Sequence, residues 1–502
     1  MSGRAWPRPV ELLLALLLGA LQTLAYVDTR FWWLQLACVG LLAARAGRAS
    51  PRLAAAIGAA FGTAWVASAT WWLFVSMHRY GGLPAWMAAA AVVALAAFLS
   101  LYLAAALAAF ARWRSGRALA DAALFAAVWL LAELARGVLF TGFPWAASGY
   151  AHVDGPLAAW APWVGVYGIG ALAAFAAALV TLRPQRTARA WLGGLVLPLA
   201  VIALPWAAGV PDFTRATGTL SVTLLQGNIP QDEKFESTHQ AAALAWHVEA
   251  LGAATGDLVV APETAIPFLP QQMPEGLWEG LQRRFGAGPT AALIGVPLGD
   301  ERSGYTNSAA GFAAGQPPYR YDKQHLVPFG EFIPPLFRWF TDLMHIPLGD
   351  FERGPLEAPS FVVKGERIGP NICYEDLFGE ELAARFRDAG SAPTVLANLS
   401  NIGWFGETIA VAQHLHISRL RSLELQRPML RATNTGATVV IDHRGQVTHG
   451  LPPHTRGVLQ ATVQGRMGNT PFADWAGRFG LWPAWLLALA VLGGAARRRA
   501  GP

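Results

Sequence analysis

The 502-residue chain is 54% hydrophobic and 14% charged and carries 21 tryptophans, a composition that excludes an ordinary soluble protein of this length. Its formal charge of +6 comes largely from arginines gathered in short loops. With no basic domain face and no nucleic-acid motif, that charge points to anionic lipid rather than nucleic acid.

In chain order, apolar stretches suited to crossing about 30 Å of hydrocarbon occur near residues 10–27, 31–45, 53–76, 85–111, 118–140, 163–182, 190–208 and 477–495. They predict a membrane α-helical bundle of about eight transmembrane helices. The second stretch, "FWWLQLACVGLLAAR", is short, and its boundaries depend on tilt. Arg4 and Arg8 precede the first span, while Arg45, Arg48 and Arg52 follow the second. Arg112, Arg114 and Arg117 follow the fourth, Arg183, Arg186 and Arg189 the sixth, and Arg497, Arg498 and Arg499 close the chain. Short loops rich in arginine stay in the cytoplasm, and the alternate loops hold only Arg30 and Arg79. Both termini are therefore expected in the cytoplasm, and by parity the long polar segment before the last span lies outside. The first span follows a basic start as a signal peptide does, but with seven spans behind it we expect it to be retained. Glu133 and Arg136 lie three apart in the fifth span; intramembrane ionisable residues are functional candidates by default, and a structural ion pair is the preferred reading.

The expected organisation is 1–212 for spans one to seven, 213–472 for the external domain, and 473–502 for the last span and basic tail. In the external segment, Gly, Pro, Asn and Asp punctuate short β-rich runs such as "DLVVAPE", "AALIGVP", "RIGPNICYE", "TVLANLS" and "ATVVIDHRG". Helical patterns lie between several of them, including "LWEGLQRRFG" and "IAVAQHLHISRLRSLELQRP". The alternation predicts one α/β domain with a layered sheet core. Glu263 follows "DLVVAP", Cys373 ends "RIGPNI", and Asn398 and Ser400 end "TVLANLS". Ligands of open α/β sheets bind beyond the carboxyl ends of strands, so these ends are expected to converge.

Two residue counts sharpen this. Of 38 basic residues only three are lysine: Lys234, Lys323 and Lys364. Lys323, in "YRYDKQHLVPFGEFIPP", sits among aromatics and Pro turns, where a compact ammonium has a use that a guanidinium lacks; Lys234 and Lys364 read as chance survivors. Of the two cysteines, Cys38 lies in a span and Cys373 in the external domain, so they are not expected to pair. A lone cysteine is by default a small buried hydrophobe. A thiol that attacks acyl groups needs a base or a positive neighbour. Glu263 suits the base, and Lys323 suits stabilisation of an oxyanion, helped by the backbone N–H after the cysteine.

"APET", "YDKQHLVPFGEFIP" and "NICYED", in this order, resemble the Glu-Lys-Cys triad of the nitrilase (carbon–nitrogen hydrolase) superfamily. Flanked by membrane spans they resemble the apolipoprotein N-acyltransferases, and "TGFPW", "LLQGNIPQ", "YTNS", "NLSNIGWFG" and "HLHISRLRSLELQRPMLRATNTG" extend the likeness over essentially the full length. The resemblance implies an α-β-β-α sandwich with Glu263 as general base, Lys323 as transition-state stabiliser and Cys373 as nucleophile. It also implies auxiliary roles for Glu331, Tyr374 and Glu375. The implied reaction moves an acyl chain from a membrane phospholipid to a cysteine thioester. The thioester then passes it to the α-amino group of the N-terminal diacylglyceryl-cysteine of an apolipoprotein. That places the protein in the bacterial inner membrane with its catalytic domain in the periplasm. The chemistry needs no cofactor and no metal, for which the sequence has no ligand spacing, and the sequence leaves the oligomeric state open, a monomer being the favoured reading. The alternative reading is a membrane-anchored amidase that uses the same triad with water as acceptor. Phe235 stands where the family often has tryptophan. With Asn398, Trp404 and Phe405 it is a candidate for substrate contact, and Met344, Ile346 and Leu348 for an acyl path. Asp376 reads as a strand-end carboxylate, and His325, His414 and His416 as packing or surface residues rather than catalytic ones.

Overall fold

The computed structural model describes residues 7–183, 188–231, 237–334 and 351–500. The chain divides into two compact units, one made of Met1–His78, Leu83–Pro211 and Phe479–Pro502, the other of Arg79–Gly82 and Asp212–Arg478.

The first unit is helical, with α1 (Arg8–Leu21), α2 (Trp32–Ala46), α3 (Pro51–Ala69), α4 (Ala85–Trp113), α5 (Ala118–Val138), α6 (Ala161–Thr181) and α7 (Ala188–Ala208). Alanine and leucine favour helix, and in hydrocarbon a helix satisfies its own backbone polar groups. Among the described residues, five helices are long and apolar enough to cross a membrane: Arg8–Val27, Pro51–Ala69, Ala85–Trp113, Ala118–Thr141 and Pro156–Thr181; Pro471–Phe479 with Trp482–Arg499 makes a sixth if counted as one span. The stretch expected near 31–45 forms α2, whose 15 residues reach only about 22 Å at 1.5 Å per residue. The stretch near 190–208 forms α7, with Pro198 and Pro205 inside it. Small residues let helices approach closely. A Cβ on Gly19 of α1 would fall 2.2 Å from the Phe61 carbonyl oxygen of α3, and one on Gly58 of α3 would fall 2.9 Å from that of Leu103 in α4.

Glu133 and Arg136 of α5 form an ion pair at 3.3 Å with side chains 3% and 5% exposed. Glu133 also accepts from the Ser148 N–H at 2.6 Å and the Ser148 hydroxyl at 2.7 Å, while Arg136 donates to the Trp145 carbonyl at 3.1 Å. The guanidinium stacks 4.8 Å over the Trp65 ring. Both charges are matched and bonded, forming the ion pair that the spacing suggested.

The second unit holds β1 (Arg215–Gln226), β2 (Leu258–Ala261), β3 (Ala291–Asp300), β4 (Gly304–Phe312), β5 (Tyr319–Asp322), β6 (Phe361–Val363), β7 (Glu366–Ile372), β8 (Val395–Ser400), β9 (Met429–Thr433), β10 (Val439–Ile441), β11 (Val447–Gly450) and β12 (Gly457–Met467). They form two six-stranded sheets, ordered β12-β1-β2-β3-β4-β5 and β11-β10-β9-β8-β7-β6. In each, three central strands run parallel: β1, β2 and β3 in one, β7, β8 and β9 in the other. Alternate residues of the two sheets share one core. Val222, Leu258 and Leu293 of the first meet Ile372, Ala397 and Leu430 of the second. The opposite residues of sheet one, Val259, Ala292 and Ile294, pack with Leu251 of α8 (Ser237–Ala253) and Phe285 of α9 (Leu277–Ala287). Sheet two is covered by α10 (Gly379–Ala384) and α11 (Ala410–Leu425), with Arg431 of β9 bonded to His414 and Ser418 of α11. In sheet one, period-two alternation between two apolar faces explains why strands such as β2 and β3 read as near-continuous hydrophobic runs.

Candidate active site

Three chain reversals at strand ends carry the chemical groups. Glu263 follows β2 and is 8% exposed. Its turn is tight: Thr264 has φ +47, and a Cβ on Gly295 of the neighbouring β3 would meet the Pro262 carbonyl oxygen at 2.2 Å. Lys323 follows β5 and is fully buried, its N–H bonded to the Asn307 carbonyl of β4 at 2.8 Å. Cys373 follows β7 with φ +52, a left-handed conformation that costs a non-glycine residue about 1–3 kcal/mol and is typical of functional turns. It is half-buried, so the sulfur is held at the rim of the core.

The Lys323 Nζ lies 2.9 Å from Glu331 Oε1 and 3.4 Å from Glu263 Oε1. The Asn307 side-chain N–H2 donates to both of those oxygens at 2.7 Å. The remaining carboxylate oxygens accept backbone N–H groups, Glu263 from Asn401 at 2.8 Å and Glu331 from Val327 at 2.8 Å. One ammonium thus lies between two carboxylates in a water-poor setting. Burial disfavours the charged lysine, but Glu331 and Glu263 outweigh it and hold the ammonium well above the ordinary lysine range, with Cys373 adding to the effect. Burial and the Glu263 charge push the Cys373 thiol up to about 12, against the pull of Lys323. The thiol therefore rests protonated, within the field of the Glu263 carboxylate and the Lys323 ammonium.

Glu375 fixes the nucleophile turn to the lysine loop. It accepts from the Ile372 N–H at 2.6 Å and the Tyr321 hydroxyl at 2.8 Å through one oxygen. Through the other it accepts from the N–H groups of Gln324 at 2.7 Å and His325 at 3.2 Å. Burial raises its pKa, and those N–H groups and Lys323 oppose the rise. Tyr374 is buried, its ring 5.3 Å from Phe378 and 5.7 Å from His325. His325 stacks on Phe378 at 3.5 Å and meets Glu381 at 2.9 Å.

The other expected contact residues divide. Trp404 is 37% exposed on the turn Ile402–Phe405, edge-on to Tyr80 at 5.8 Å; Phe405 is half-buried beside it. Asn398 differs from the expectation of a substrate contact: it is fully buried and its amide donates to Asn371 at 2.6 Å and the Cys373 carbonyl at 3.4 Å. Its position on β8 points it at the helix layer behind the nucleophile. Phe235, Met344, Ile346 and Leu348 lie outside the described residues. Asp376 is fully buried rather than a plain strand-end carboxylate; burial pushes it up to about 6, opposed by Arg431. Among the described residues no cluster of His, Cys, Asp or Glu has a metal-binding arrangement.

Reading the sequence missed Asn307, Asn401, His414 and Arg431 as parts of this site. Asn307 and Asn401 lie inside the quoted motifs "YTNS" and "NLSNIGWFG", so a signal was available for them. His414 and Arg431 lie in the same way inside the quoted "HLHISRLRSLELQRPMLRATNTG", but nothing in it singled out Arg431 among the many arginines.

Residues 18–179 match the family model for the apolipoprotein N-acyltransferase N-terminal domain, and residues 221–472 match that for carbon–nitrogen hydrolases. The chain is 54% identical to the apolipoprotein N-acyltransferase of Verminephrobacter eiseniae (strain EF01-2), over 95% of this chain and 94% of that protein. It is 48% identical to that of Ralstonia nicotianae, over 97% and 94%. Among solved structures it is similar to a CN-hydrolase superfamily protein from Xanthomonas campestris, with 21% identity, a TM-score of 0.36, and coverage of 54% of this chain and 97% of that one.

Proposed function

The chain belongs to the apolipoprotein N-acyltransferase family, and we propose that Glu263, Lys323 and Cys373 carry its reaction in two half-reactions. As a bacterial membrane protein of this family it N-acylates lipoproteins. In the first half-reaction the Glu263 carboxylate takes the Cys373 proton as the sulfur attacks an ester carbonyl of a membrane phospholipid. The Lys323 ammonium and the Tyr374 N–H stabilise the oxyanion. Collapse expels the glycerol oxygen, which takes the proton back from Glu263, leaving a lysophospholipid and a thioester. In the second, the α-amino group of the diacylglyceryl-cysteine attacks the thioester and gives its proton to Glu263, and the departing thiolate recovers that proton.

The observation that carries this reading is the fully buried Lys323 between Glu263 and Glu331, with Cys373 in their field. A site with one cation and two carboxylates keeps a carboxylate available as base while the ammonium faces the developing negative charge. Glu331 and Glu375 hold the lysine and the cysteine turn, and Tyr374, Trp404 and Phe405 border the acyl path. The positive-inside pattern supports eight spans, cytoplasmic termini and a periplasmic catalytic unit, and we take the protein to act as a monomer. Intact-mass measurement of the purified protein after incubation with phospholipid tests the thioester. We expect one acyl adduct on the wild type, lost on adding a diacylglyceryl peptide with a free N-terminus, and none on Cys373→Ser. A wild type that turns over without any adduct overturns the route. Reporter fusions test the topology: the loops at 112–117 and 183–189 are expected inside and the loop at 141–163 outside.

A further inference from the structure

Behind the nucleophile lies a buried polar row that the reaction above does not use. Asn371 of β7, Asn398 of β8 and Arg431 of β9 are direct register partners across three parallel strands, and all three are fully buried on the face that meets α11. From α11, His414 adds an imidazole that is 1% exposed. Arg431 Nη2 lies 2.9 Å from His414 Nδ1. A guanidinium only donates, so Nδ1 must offer its lone pair and the ring's proton sits on Nε2. That nitrogen lies 3.2 Å from the Cys373 carbonyl oxygen, to which Asn398 also donates at 3.4 Å. Arg431 is itself held by Asp376 at 3.4 Å, and Asp376 accepts the Ser418 hydroxyl. Both imidazole nitrogens are thus engaged, and the ring is not arranged as a base for the thiol.

The carbonyl oxygen of Cys373 and the N–H of Tyr374 belong to one planar trans peptide and point in opposite directions. Holding the oxygen therefore fixes where the N–H aims. The hold has work to do, because Cys373 sits at φ +52, a conformation that the chain relaxes from unless its surroundings determine it. We propose that His414, its tautomer set by Arg431, is a positioning residue that anchors the Cys373 carbonyl and thereby aims and polarises the Tyr374 N–H toward the oxyanion. The inference rests on the acyl-enzyme reading above.

The test separates two reactions of the same sulfur. Acylation passes through an oxyanion; alkylation by iodoacetamide does not. In the full-length protein, His414→Leu is expected to slow thioester formation at saturating phospholipid by about 10-fold or more, since losing one oxyanion donor costs roughly 10²–10³ and misaiming costs less. The half-saturating phospholipid concentration and the rate of Cys373 alkylation at pH 9 stay within about twofold. His414→Gln presents an acceptor to Arg431 and a donor to the carbonyl, and is expected to recover most of the loss. Asn398→Ala removes the second donor to the same oxygen and is expected to give a smaller loss with the same selectivity; it carries the test where His414→Leu does not fold. Equal slowing of acylation and alkylation, identical behaviour of the Leu and Gln variants, or wild-type acylation in both His414→Leu and Asn398→Ala overturns the inference. An adduct missing from the turning-over wild type overturns the thioester reading itself, so the two failures are distinguishable.

Discussion

Each unit buries an acid against a base, and the two arrangements differ in one respect that separates structure from chemistry. On α5, Glu133 and Arg136 are one turn apart on a single helix, charge-balanced and bonded to Ser148 and Trp145. In the α/β unit, Lys323 meets two carboxylates brought from different strand ends, so one negative charge is left over. A balanced pair has nothing to give a substrate. On the proposed route the surplus carboxylate accepts the proton of the thiol, and the ammonium that restrains it faces the developing oxyanion.

Breaking the surplus should have the largest effect. Lys323→Met is expected to lower acyl transfer by about 10³, the upper end of what loss of an oxyanion donor costs, and to destabilise the unit by about 3–5 kcal/mol, because it leaves two buried carboxylates without their cation. Single-turnover rates and thermal unfolding measure the two losses separately. Next, the resting thiol sharpens the contrast. At pH 8, iodoacetamide should react with Cys373 at least about 100-fold more slowly than with a solvent-exposed thiol, since the thiolate is the nucleophile, and the rate should climb as pH rises toward about 12. The sign for stability follows: a raised pKa means that the proton stabilises the fold below about pH 9, a contribution lost as pH approaches about 12. An inflection at or below pH 8.5 breaks this picture.

The balanced pair makes a different prediction. Glu133→Leu alone should cost about 3–5 kcal/mol by leaving a buried guanidinium without its acid, whereas Glu133→Leu with Arg136→Met should recover most of that stability. Acyl transfer per folded molecule should stay within about twofold in the double variant; a 100-fold loss there would give α5 a part in the chemistry. Smallest of all, Lys364→Ala removes an ion pair to Asp257 whose lysine is 63% exposed, and should shift stability by about 0.5 kcal/mol or less.

These contrasts also explain what was legible before the fold was known. Glu263 and Cys373 stood out because each ends a β-rich run, Lys323 because lysine is so rare in this chain, and all three because their motifs resemble a known family. The tie between His414 and Arg431 did not, since it depends on the lateral register of three strands and on the face of a helix about fifteen residues earlier in the chain. Arginine is so frequent here that the fully buried Arg421 and Arg431 look, in one dimension, like those that mark cytoplasmic loops. Asn398 was misread for a related reason: its strand-end position is visible in the sequence, but which side of the sheet its amide serves depends on where the neighbouring strands lie. For the helical unit, the apolar run at 31–45 already showed α2 to be short, and the helix has 15 residues.

The closing strand of sheet one has a consequence for biosynthesis. β12 pairs with β1 along residues 457–467, joining the last strand to be made to the first. A nascent chain at the translocon already holds its cysteine, lysine and glutamate while one border of that sheet still stands open, a place where foreign segments can add. Sheet one is therefore complete only once residues 457–467 have been made, and a chain stalled before residue 457 is expected to be inert and a target for proteolysis.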